Sequence, residues 1–192
     1  MKLTDLACML ALVGTTTAFA ALKEGDAAPA FMAPASLAGK AFTYSLKDDL
    51  ARGPVVVYFY PSAFTQGCNI QAHTFSENID KFSAAGATVV GVSLDSIERL
   101  DAFSADPEYC AGKLAVASDA DGSIARAFDL KVAKAQSGAT DTRGLEIGHG
   151  FAERTTFIVK RDGTVAAVVG GVSPEANVKR ALELVQGLSA GH

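Results

Sequence analysis

The chain contains 192 residues, of which 49% are apolar and 20% are charged, proportions typical of one globular domain with its own hydrophobic core. This composition excludes a disordered, collagen-like or low-complexity chain. The 17 Lys and Arg residues against 21 Asp and Glu give a net charge of −4, and no basic stripe supports a nucleic-acid partner. Three cysteines are too few for a disulfide scaffold but sufficient for redox chemistry.

The first twenty residues have the features of a secretory signal peptide. Lys2 precedes an apolar run from Leu6 to Val13, and Ala18-Phe19-Ala20 forms a cleavage site of the A-x-A type. The run is much shorter than the roughly 20 residues that span a bilayer. We therefore expect a signal peptide over residues 1–20 and a periplasmic or secreted protein. An N-terminal helix of a cytosolic protein is the alternative, because Asp5 cancels the charge of Lys2.

Cleavage after Ala20 would leave one domain over residues 21–192. Cys8 leaves with the signal peptide, so this domain keeps two cysteines, Cys68 and Cys110. Once the apolar run is removed, we expect no association with a membrane.

The first half of the domain shows strands alternating with a helix. A Gly-, Pro- and Ala-rich segment from Leu22 to Pro34 precedes an alternating run, Phe42–Leu46, which predicts a short edge strand. Val55–Tyr60 is β-branched and aromatic without polar alternation, which predicts a central strand buried on both faces. Apolar spacing then predicts a helix from Thr65 to Ala84, and Ala87–Val92 is the next buried strand.

The second half continues the pattern. The predicted elements are, in order, a helix from Ser96 that Pro107 interrupts, a strand Leu114–Ala117, a helix Ser123–Leu130, a surface loop Lys131–Gly150, a hairpin of Thr155–Val159 and Thr164–Val169, and a helix Ser173–Leu188. The alternation indicates an α/β fold in which one sheet has helices on both faces.

Cys68 follows the predicted central strand, at the start of the next helix. The carboxyl ends of strands in an open α/β sheet are where ligands bind. Unpaired backbone N–H groups and the positive end of the helix dipole favour a thiolate at this position, and the thiolate is the nucleophilic form. A buried structural cysteine is equally compatible with the position alone.

The segment Pro61-x-x-x-Thr65-x-x-Cys68 follows an apolar strand, and Arg154 lies far along the chain. Together these residues resemble the active-site signature of peroxiredoxins, the thiol-dependent peroxidases of the AhpC/TSA superfamily. The resemblance continues in order through Val89–Asp95, Val116–Asp119 and Arg154–Val159. Gly67-Cys68 and the compact C-terminus are most similar to the bacterioferritin-comigratory, or PrxQ-type, group. The resemblance implies a thioredoxin-like fold with a central mixed sheet.

The resemblance also implies a role for each residue of the signature. Cys68 would be the peroxidatic thiolate, which attacks a peroxide oxygen and becomes a sulfenic acid. Thr65 would orient the peroxide, and Arg154 would stabilise the thiolate and the departing oxygen. Pro61 would shield the thiolate from water. Without the signature, Thr65 would be interpreted as a helix cap or turn residue, and Arg154 as a solvated surface charge.

Two positions differ from the pattern of the PrxQ-type group. His73 stands five residues after Cys68, where many members place the resolving cysteine, and Gln71 stands where glutamate is frequent. Cys110 is then the candidate resolving residue, near the end of a predicted helix, and an intramolecular disulfide with Cys68 would require the first turn of the Cys68 helix to unwind. A one-cysteine enzyme and a static structural disulfide are the alternatives.

The sequence predicts no cofactor. His73, His149 and His192 are scattered and do not form a metal-binding pattern, and no phosphate-binding loop follows a strand. The expected partners are a peroxide substrate and a thioredoxin-like or small-thiol reductant, and we expect a monomer or weak dimer.

Two other functions compete with a peroxidase. An exported thioredoxin-like disulfide oxidoreductase would need a second cysteine three residues after Cys68, where Gln71 stands, and a proline in place of the Glu153–Thr155 segment. A catalytically silent redoxin-fold binding module would have no reason to keep Thr65, Cys68 and Arg154 together.

Overall fold

The computed structural model describes residues 21–190. The expected signal peptide and His192 lie outside the described residues. The elements in chain order are β1 (Met32–Leu37), β2 (Lys40–Ser45), α1 (Leu46–Arg52), β3 (Val55–Phe59), α2 (Gln66–Ala84), β4 (Thr88–Ser93), α3 (Ile97–Ala105), β5 (Ala115–Ser118), α4 (Ser123–Ala127), β6 (Val132–Ala133), β7 (Phe151–Ala152), β8 (Thr155–Val159), β9 (Val165–Gly170) and α5 (Pro174–Ala190).

Seven strands form one mixed sheet in the order β2-β1-β5-β4-β3-β8-β9. β3, β4 and β5 run parallel to one another, whereas β8 is antiparallel to β3 and β1 is antiparallel to β5. β6 and β7 form a separate two-stranded ribbon. The predicted α/β class with a central mixed sheet is confirmed. No helix between residues 21 and 190 is long and apolar enough to cross a membrane.

Helices cover both faces of the sheet, as the sequence predicts. Val56 and Tyr58 of β3 pack in a cluster with residues of α2, α3 and α5, whereas Val57 and Phe59 pack in a second cluster with residues of α1 and α4. Every residue of β3 is at most 1% exposed. This burial on both sides explains why β3 shows no polar alternation in the sequence.

Two N-terminal elements were not predicted. β1 lies partly in the Pro- and Ala-rich segment, whose composition does not favour a strand, and its pairing with β2 along its whole length overrides that composition. The prediction that the edge strand extends to Leu46 is wrong, because Leu46 begins α1. The Ser45 side chain caps this helix by accepting a hydrogen bond from the Asp48 N–H.

Three predictions for the second half need correction. Cys110 does not lie near a helix end, because α3 ends at Ala105 and Cys110 lies in the turns that lead to β5. α4 ends at Ala127 and does not reach Leu130, since Asp129 adopts a positive φ of 55°. The predicted loop Lys131–Gly150 is not simply a surface loop, because it contributes β6 and buries Asp141 and Ile147.

The C-terminal predictions are confirmed. β8 and β9 form the expected hairpin, with Gly163 in the turn at a φ of +83°, a conformation that glycine adopts without strain. α5 begins at Pro174, where a missing N–H costs no helical hydrogen bond. The helix packs Val178, Ala181 and Val185 into the same cluster as Cys68.

Candidate active site

Cys68 lies in the first turn of α2, beyond the carboxyl end of β3. Its backbone N–H donates to the Thr65 carbonyl at 3.0 Å, so the residue belongs to the first hydrogen-bonded turn. The residue is only 1% exposed. A thiol in this position lies near the positive end of the dipole of a 19-residue helix.

Arg154 reaches this thiol from the neighbouring strand. β8 is antiparallel to β3 with Thr155 opposite Phe59, so Arg154, the residue before β8, lies at the carboxyl end of β3. Its Nη2 lies 3.3 Å from the Cys68 sulfur and donates a hydrogen bond to it. Its Nη1 donates to Oε1 of Gln71. The interpretation of Arg154 as a solvated surface charge is therefore wrong.

Gly67 makes room for this contact. A Cβ atom added at Gly67 would lie 3.2 Å from Nη2 of Arg154. That separation is shorter than an ordinary van der Waals contact, so the guanidinium would have to shift by a few tenths of an ångström to accept a side chain here. The close approach of Arg154 thus gives a steric reason for a glycine, and not a larger residue, beside Cys68.

Thr65 occupies the N-cap position of α2, but its side chain does not cap the helix. Its hydroxyl donates to the carbonyl of Ser62 at 2.8 Å. Because the single hydroxyl proton is used in this bond, the oxygen lone pairs remain free to accept a hydrogen bond from a ligand. Pro61 is half-buried at the start of the segment that joins β3 to Thr65.

A buried carboxylate, Asp95, holds the segment between β3 and α2. Its oxygens contact Ser62 Oγ at 2.8 Å, the Ala63 N–H at 2.7 Å, Ser93 Oγ at 2.7 Å, His149 Nε2 at 2.8 Å and Arg99 Nε at 2.9 Å. Burial raises the pKa of Asp95, but the hydrogen bonds from His149, Ala63 and Ser93 outweigh it and leave that pKa below its usual value.

Both ring nitrogens of His149 face acceptors in this cluster, an arrangement that favours the charged form of the ring. Its Nδ1 faces the Gly150 carbonyl at 2.7 Å and its Nε2 faces Asp95, and both oxygens can only accept. Burial lowers the pKa of His149, but the bonds to Asp95 and to the Gly150 carbonyl outweigh burial and raise it. No sequence pattern pointed to His149, because its partner lies 54 residues away.

The loop Lys131–Gly150 contacts the residue before Thr65. The N–H and the hydroxyl of Thr142 donate to the Phe64 carbonyl at 2.9 Å and 2.8 Å. The Arg143 guanidinium lies 3.3 Å from the centroid of the Phe64 ring, and its Nη2 pairs with Asp141 at 2.8 Å. Phe64 has a φ of 61°, a strained conformation for a residue with a side chain, so these contacts hold a strained backbone in place.

Cys110 is a second buried thiol, and no disulfide joins it to Cys68. Burial raises the pKa of Cys110 far above its usual value, and Asp106 adds to the effect. Tyr58 is buried in the same cluster as both cysteines, and the pKa of its hydroxyl is raised by burial first and then by Cys110 and Cys68.

His73, which stands where many PrxQ-type proteins have their resolving cysteine, joins α2 to the Cys110 segment. Its Nδ1 donates to the carbonyl of Glu108 at 2.7 Å, two residues before Cys110. Within residues 21–190, no group of three or more His, Cys, Asp or Glu side chains is arranged to hold a metal ion.

A buried thiol at the start of a helix, with an arginine on its sulfur and a threonine hydroxyl one turn away, defines the class of thiol peroxidases. Comparisons with known proteins agree with this class. The model of the AhpC/TSA family matches residues 24–168. The chain belongs to this family: it is a peroxiredoxin, a thiol-dependent peroxidase.

Curated relatives are also named as peroxiredoxins. The chain is 35% identical over 159 residues to a putative peroxiredoxin of Mycobacterium tuberculosis, a match that covers 83% of this chain and 92% of the relative. It is 32% identical over 147 residues to peroxiredoxin Bcp of Escherichia coli, which covers 77% of this chain and 85% of Bcp.

Solved structures of the same type share the fold. The crystal structure of peroxidoxin BcpB from Mycobacterium tuberculosis superposes with a TM-score of 0.72 at 28% identity, over 87% of this chain and 98% of that one. A structure of the bacterioferritin comigratory protein of Xanthomonas campestris gives a TM-score of 0.64 at 28% identity, over 81% and 91% of the two chains.

Proposed function

We propose that Cys68 is the peroxidatic cysteine of this peroxiredoxin. The observation that carries the proposal is the hydrogen bond from Arg154 Nη2 to the Cys68 sulfur at 3.3 Å. The thiolate attacks one oxygen of a hydroperoxide, an S–O bond forms and the O–O bond breaks. The departing oxygen takes a proton and leaves as water or an alcohol, and Cys68 remains as a sulfenic acid.

Thr65, Arg154 and Pro61 complete the catalytic set. The free lone pairs of the Thr65 hydroxyl accept a hydrogen bond from the peroxide O–H and orient it for attack. Arg154 has several donors fixed in one plane, so it stabilises the thiolate and the negative charge that develops on the departing oxygen. Pro61 offers no N–H and limits the access of water to the sulfur.

Cys110 is the resolving cysteine in this proposal. The Cys110 sulfur attacks the sulfur of the Cys68 sulfenic acid, an S–S bond forms and water leaves. A thioredoxin-like or small-thiol reductant then returns the disulfide to two thiols. Both cysteines are buried, so the first turn of α2 and the segment around Cys110 must open before the sulfurs meet. If Cys110 stays buried, an external thiol reduces Cys68 directly in a one-cysteine cycle.

Hydrogen peroxide and organic hydroperoxides are the proposed substrates. The description of the Xanthomonas campestris protein refers to alkyl peroxide reduction, and that protein is 28% identical to this chain over the matched region. We further propose that the protein acts as a monomer or weak dimer.

Export to the periplasm or the medium is a separate proposal that rests on the features of residues 1–20 alone. It is tested by expressing the full chain in a Gram-negative host, fractionating the cells and sequencing the N-terminus of the purified protein. Recovery from the periplasm or medium with Ala21 as the first residue is the expected result. Recovery from the cytoplasm with Met1 intact would overturn it.

The peroxidase assignment to Cys68 is tested by the consumption of hydrogen peroxide with dithiothreitol or thioredoxin as the reductant. Cys68→Ser should abolish turnover with both reductants. Cys110→Ser should retain turnover with dithiothreitol and lose it with thioredoxin if Cys110 resolves the sulfenic acid. Equal turnover of Cys110→Ser with both reductants would indicate the one-cysteine cycle, and turnover by Cys68→Ser would overturn the assignment.

A further inference from the structure

A chain of buried hydrogen bonds joins the C-terminal helix to Arg154. Asn177 lies in the first turn of α5, and its Oδ1 accepts from Gln71 Nε2 at 3.0 Å and from Thr156 Oγ1 at 2.6 Å. Gln71 Oε1 in turn accepts a hydrogen bond from Arg154 Nη1, and Nη2 of the same guanidinium donates one to the Cys68 sulfur. Asn177, Gln71 and Thr156 have no exposed surface.

One backbone carbonyl fixes the direction of every bond in this chain. The Nδ2 of Asn177 donates to the carbonyl of Val169 at 3.1 Å, and a carbonyl can only accept. The Asn177 amide is therefore oriented with Oδ1 toward Gln71. Because this oxygen only accepts, Gln71 must donate to it from its NH2 group. Gln71 consequently presents its oxygen, and not its nitrogen, to Arg154.

We propose that Asn177 is a positioning residue for the peroxidase reaction. Acting through Gln71, Asn177 holds Arg154 in the orientation in which its Nη2 donates to the Cys68 sulfur. The role rests on the proposed function of Cys68. Without Asn177, the Gln71 NH2 group would be buried with no acceptor, because Arg154 on its other side has only donors. The Gln71 side chain would shift to satisfy this group, and Arg154 would lose the contact that fixes its orientation.

The hydrogen-bond chain also leaves the positive charge of Arg154 available to the Cys68 sulfur. Gln71 and Asn177 are neutral, and none of the ion pairs formed between residues 21 and 190 includes Arg154. A carboxylate at position 71 would share the positive charge, whereas the amide oxygen orients the guanidinium without neutralising it. Among residues 21–190 no carboxylate pairs with Arg154, so its charge is available to the Cys68 sulfur.

The test compares Asn177→Leu with two matched variants. Asn177→Leu keeps the volume and removes all three hydrogen bonds of the side chain. Thr156→Val removes one bond to Asn177 Oδ1 but leaves Asn177 bound to the Val169 carbonyl and to Gln71. Val178→Ala alters the next residue of α5, which is buried in the core but does not belong to the chain. Thermal melting of each protein reports its stability.

The readout is the rate of Cys68 oxidation by hydrogen peroxide between pH 4 and pH 9. For Asn177→Leu we expect the acidic limb of the profile to move up by about one pH unit, with a roughly tenfold lower rate on that limb. Val178→Ala should keep the wild-type profile even where it lowers the melting temperature, and Thr156→Val should move the profile less than Asn177→Leu does. A lower melting temperature for Asn177→Leu with an unchanged profile would overturn the proposal.

A double-mutant cycle tests the route through Gln71. Gln71→Met should move the profile as Asn177→Leu does, and the double variant should move it no further, because Asn177 acts only through Gln71. If the two substitutions shifted the pH profile additively, Asn177 would not act through Gln71, and this part of the proposal would be overturned. If Asn177→Leu does not fold, Asn177→Ala replaces it, since alanine adds no bulk and favours the helix.

The outcome for the proposed function is read separately, from the wild-type protein. If wild-type Cys68 reacts no faster than a free cysteine, the peroxidase assignment and the role of Asn177 both fail. If wild-type Cys68 reacts rapidly and Asn177→Leu has the same profile, only the role of Asn177 fails.

Discussion

The guanidinium of Arg143 lies 3.3 Å from the centroid of the Phe64 ring, on the residue that directly precedes Thr65. Thr142 donates two hydrogen bonds to the carbonyl of the same phenylalanine. Asp95 and Arg99 hold Ala63, one residue earlier, by its N–H and its carbonyl. The loop before β7 therefore stabilises the closed conformation of the segment that carries Thr65 and leads to Cys68.

Weakening this loop should favour the open conformation that disulfide formation requires. Arg143→Ala removes the cation–π contact, worth about 1 kcal/mol, so we expect the Cys68–Cys110 disulfide to form about fivefold faster after oxidation. Less Cys68 should then be driven to sulfinic acid by excess peroxide. Quenched-flow mass analysis measures both products. Arg180→Ala, an exposed arginine on α5, is the control, and equal rates for the two variants would contradict this role.

Gly67→Ala should impair the reaction without unfolding the protein. The added Cβ would lie 3.2 Å from Arg154 Nη2 and displace it from the sulfur, and we expect the peroxide rate to fall at least tenfold, the effect of about 1.4 kcal/mol. The control is Gly187→Ala in α5, where a Cβ meets no atom within 4 Å. That variant should gain roughly 0.5–1 kcal/mol of stability at unchanged activity. Wild-type activity in Gly67→Ala would show that Arg154 can move without consequence.

The charged pair of His149 and Asp95 should make stability depend on pH. The pKa of His149 is raised on folding, so its contribution is complete below its unfolded value and is lost as the pH rises through the folded value. The pKa of Asp95 is lowered, so its contribution is present above its unfolded value and is lost as the pH falls through the folded one. The pair is thus complete in the mildly acidic range between the two unfolded values.

Denaturant unfolding at several pH values measures this dependence. Between pH 6 and pH 9 we expect the wild-type free energy of unfolding to lose about 1 kcal/mol from this pair, the size of one net hydrogen bond. His149→Gln, which cannot change its charge, should not show that loss. An identical pH dependence of the two proteins would mean that Arg99, rather than protonated His149, balances the charge of Asp95.

The sequence predicted the order of most elements because their signals are local. Val55–Phe59 is a run of buried strand residues, and Gly163 and Pro174 mark a turn and a helix start. It also identified Cys68 and Arg154, through a known motif. Neither α1 nor β1 was found, since α1 directly continues an edge strand and β1 depends on pairing with β2.

The contacts that surround the site were not predicted, since each joins residues that are distant in the chain. Asp95 contacts His149 across 54 positions, and Gln71 contacts Asn177 across 106. A buried carboxylate or amide carries no sequence signal of its own until the fold shows what it contacts. One usable signal for Asp95 was its place after β4, at the same edge of the sheet as Cys68.

The most direct test of the central claim follows the first turnover. The reduced protein, cleaved after Ala20, is mixed rapidly with one equivalent of hydrogen peroxide, quenched on a millisecond scale, and analysed by mass for the state of Cys68 and Cys110. We expect the Cys68 thiol to disappear many times faster than a free cysteine reacts and a Cys68–Cys110 disulfide to follow, with neither step in Cys68→Ser. Oxidation of Cys68 no faster than that of a free cysteine would contradict the assignment of Cys68 as the peroxidatic residue.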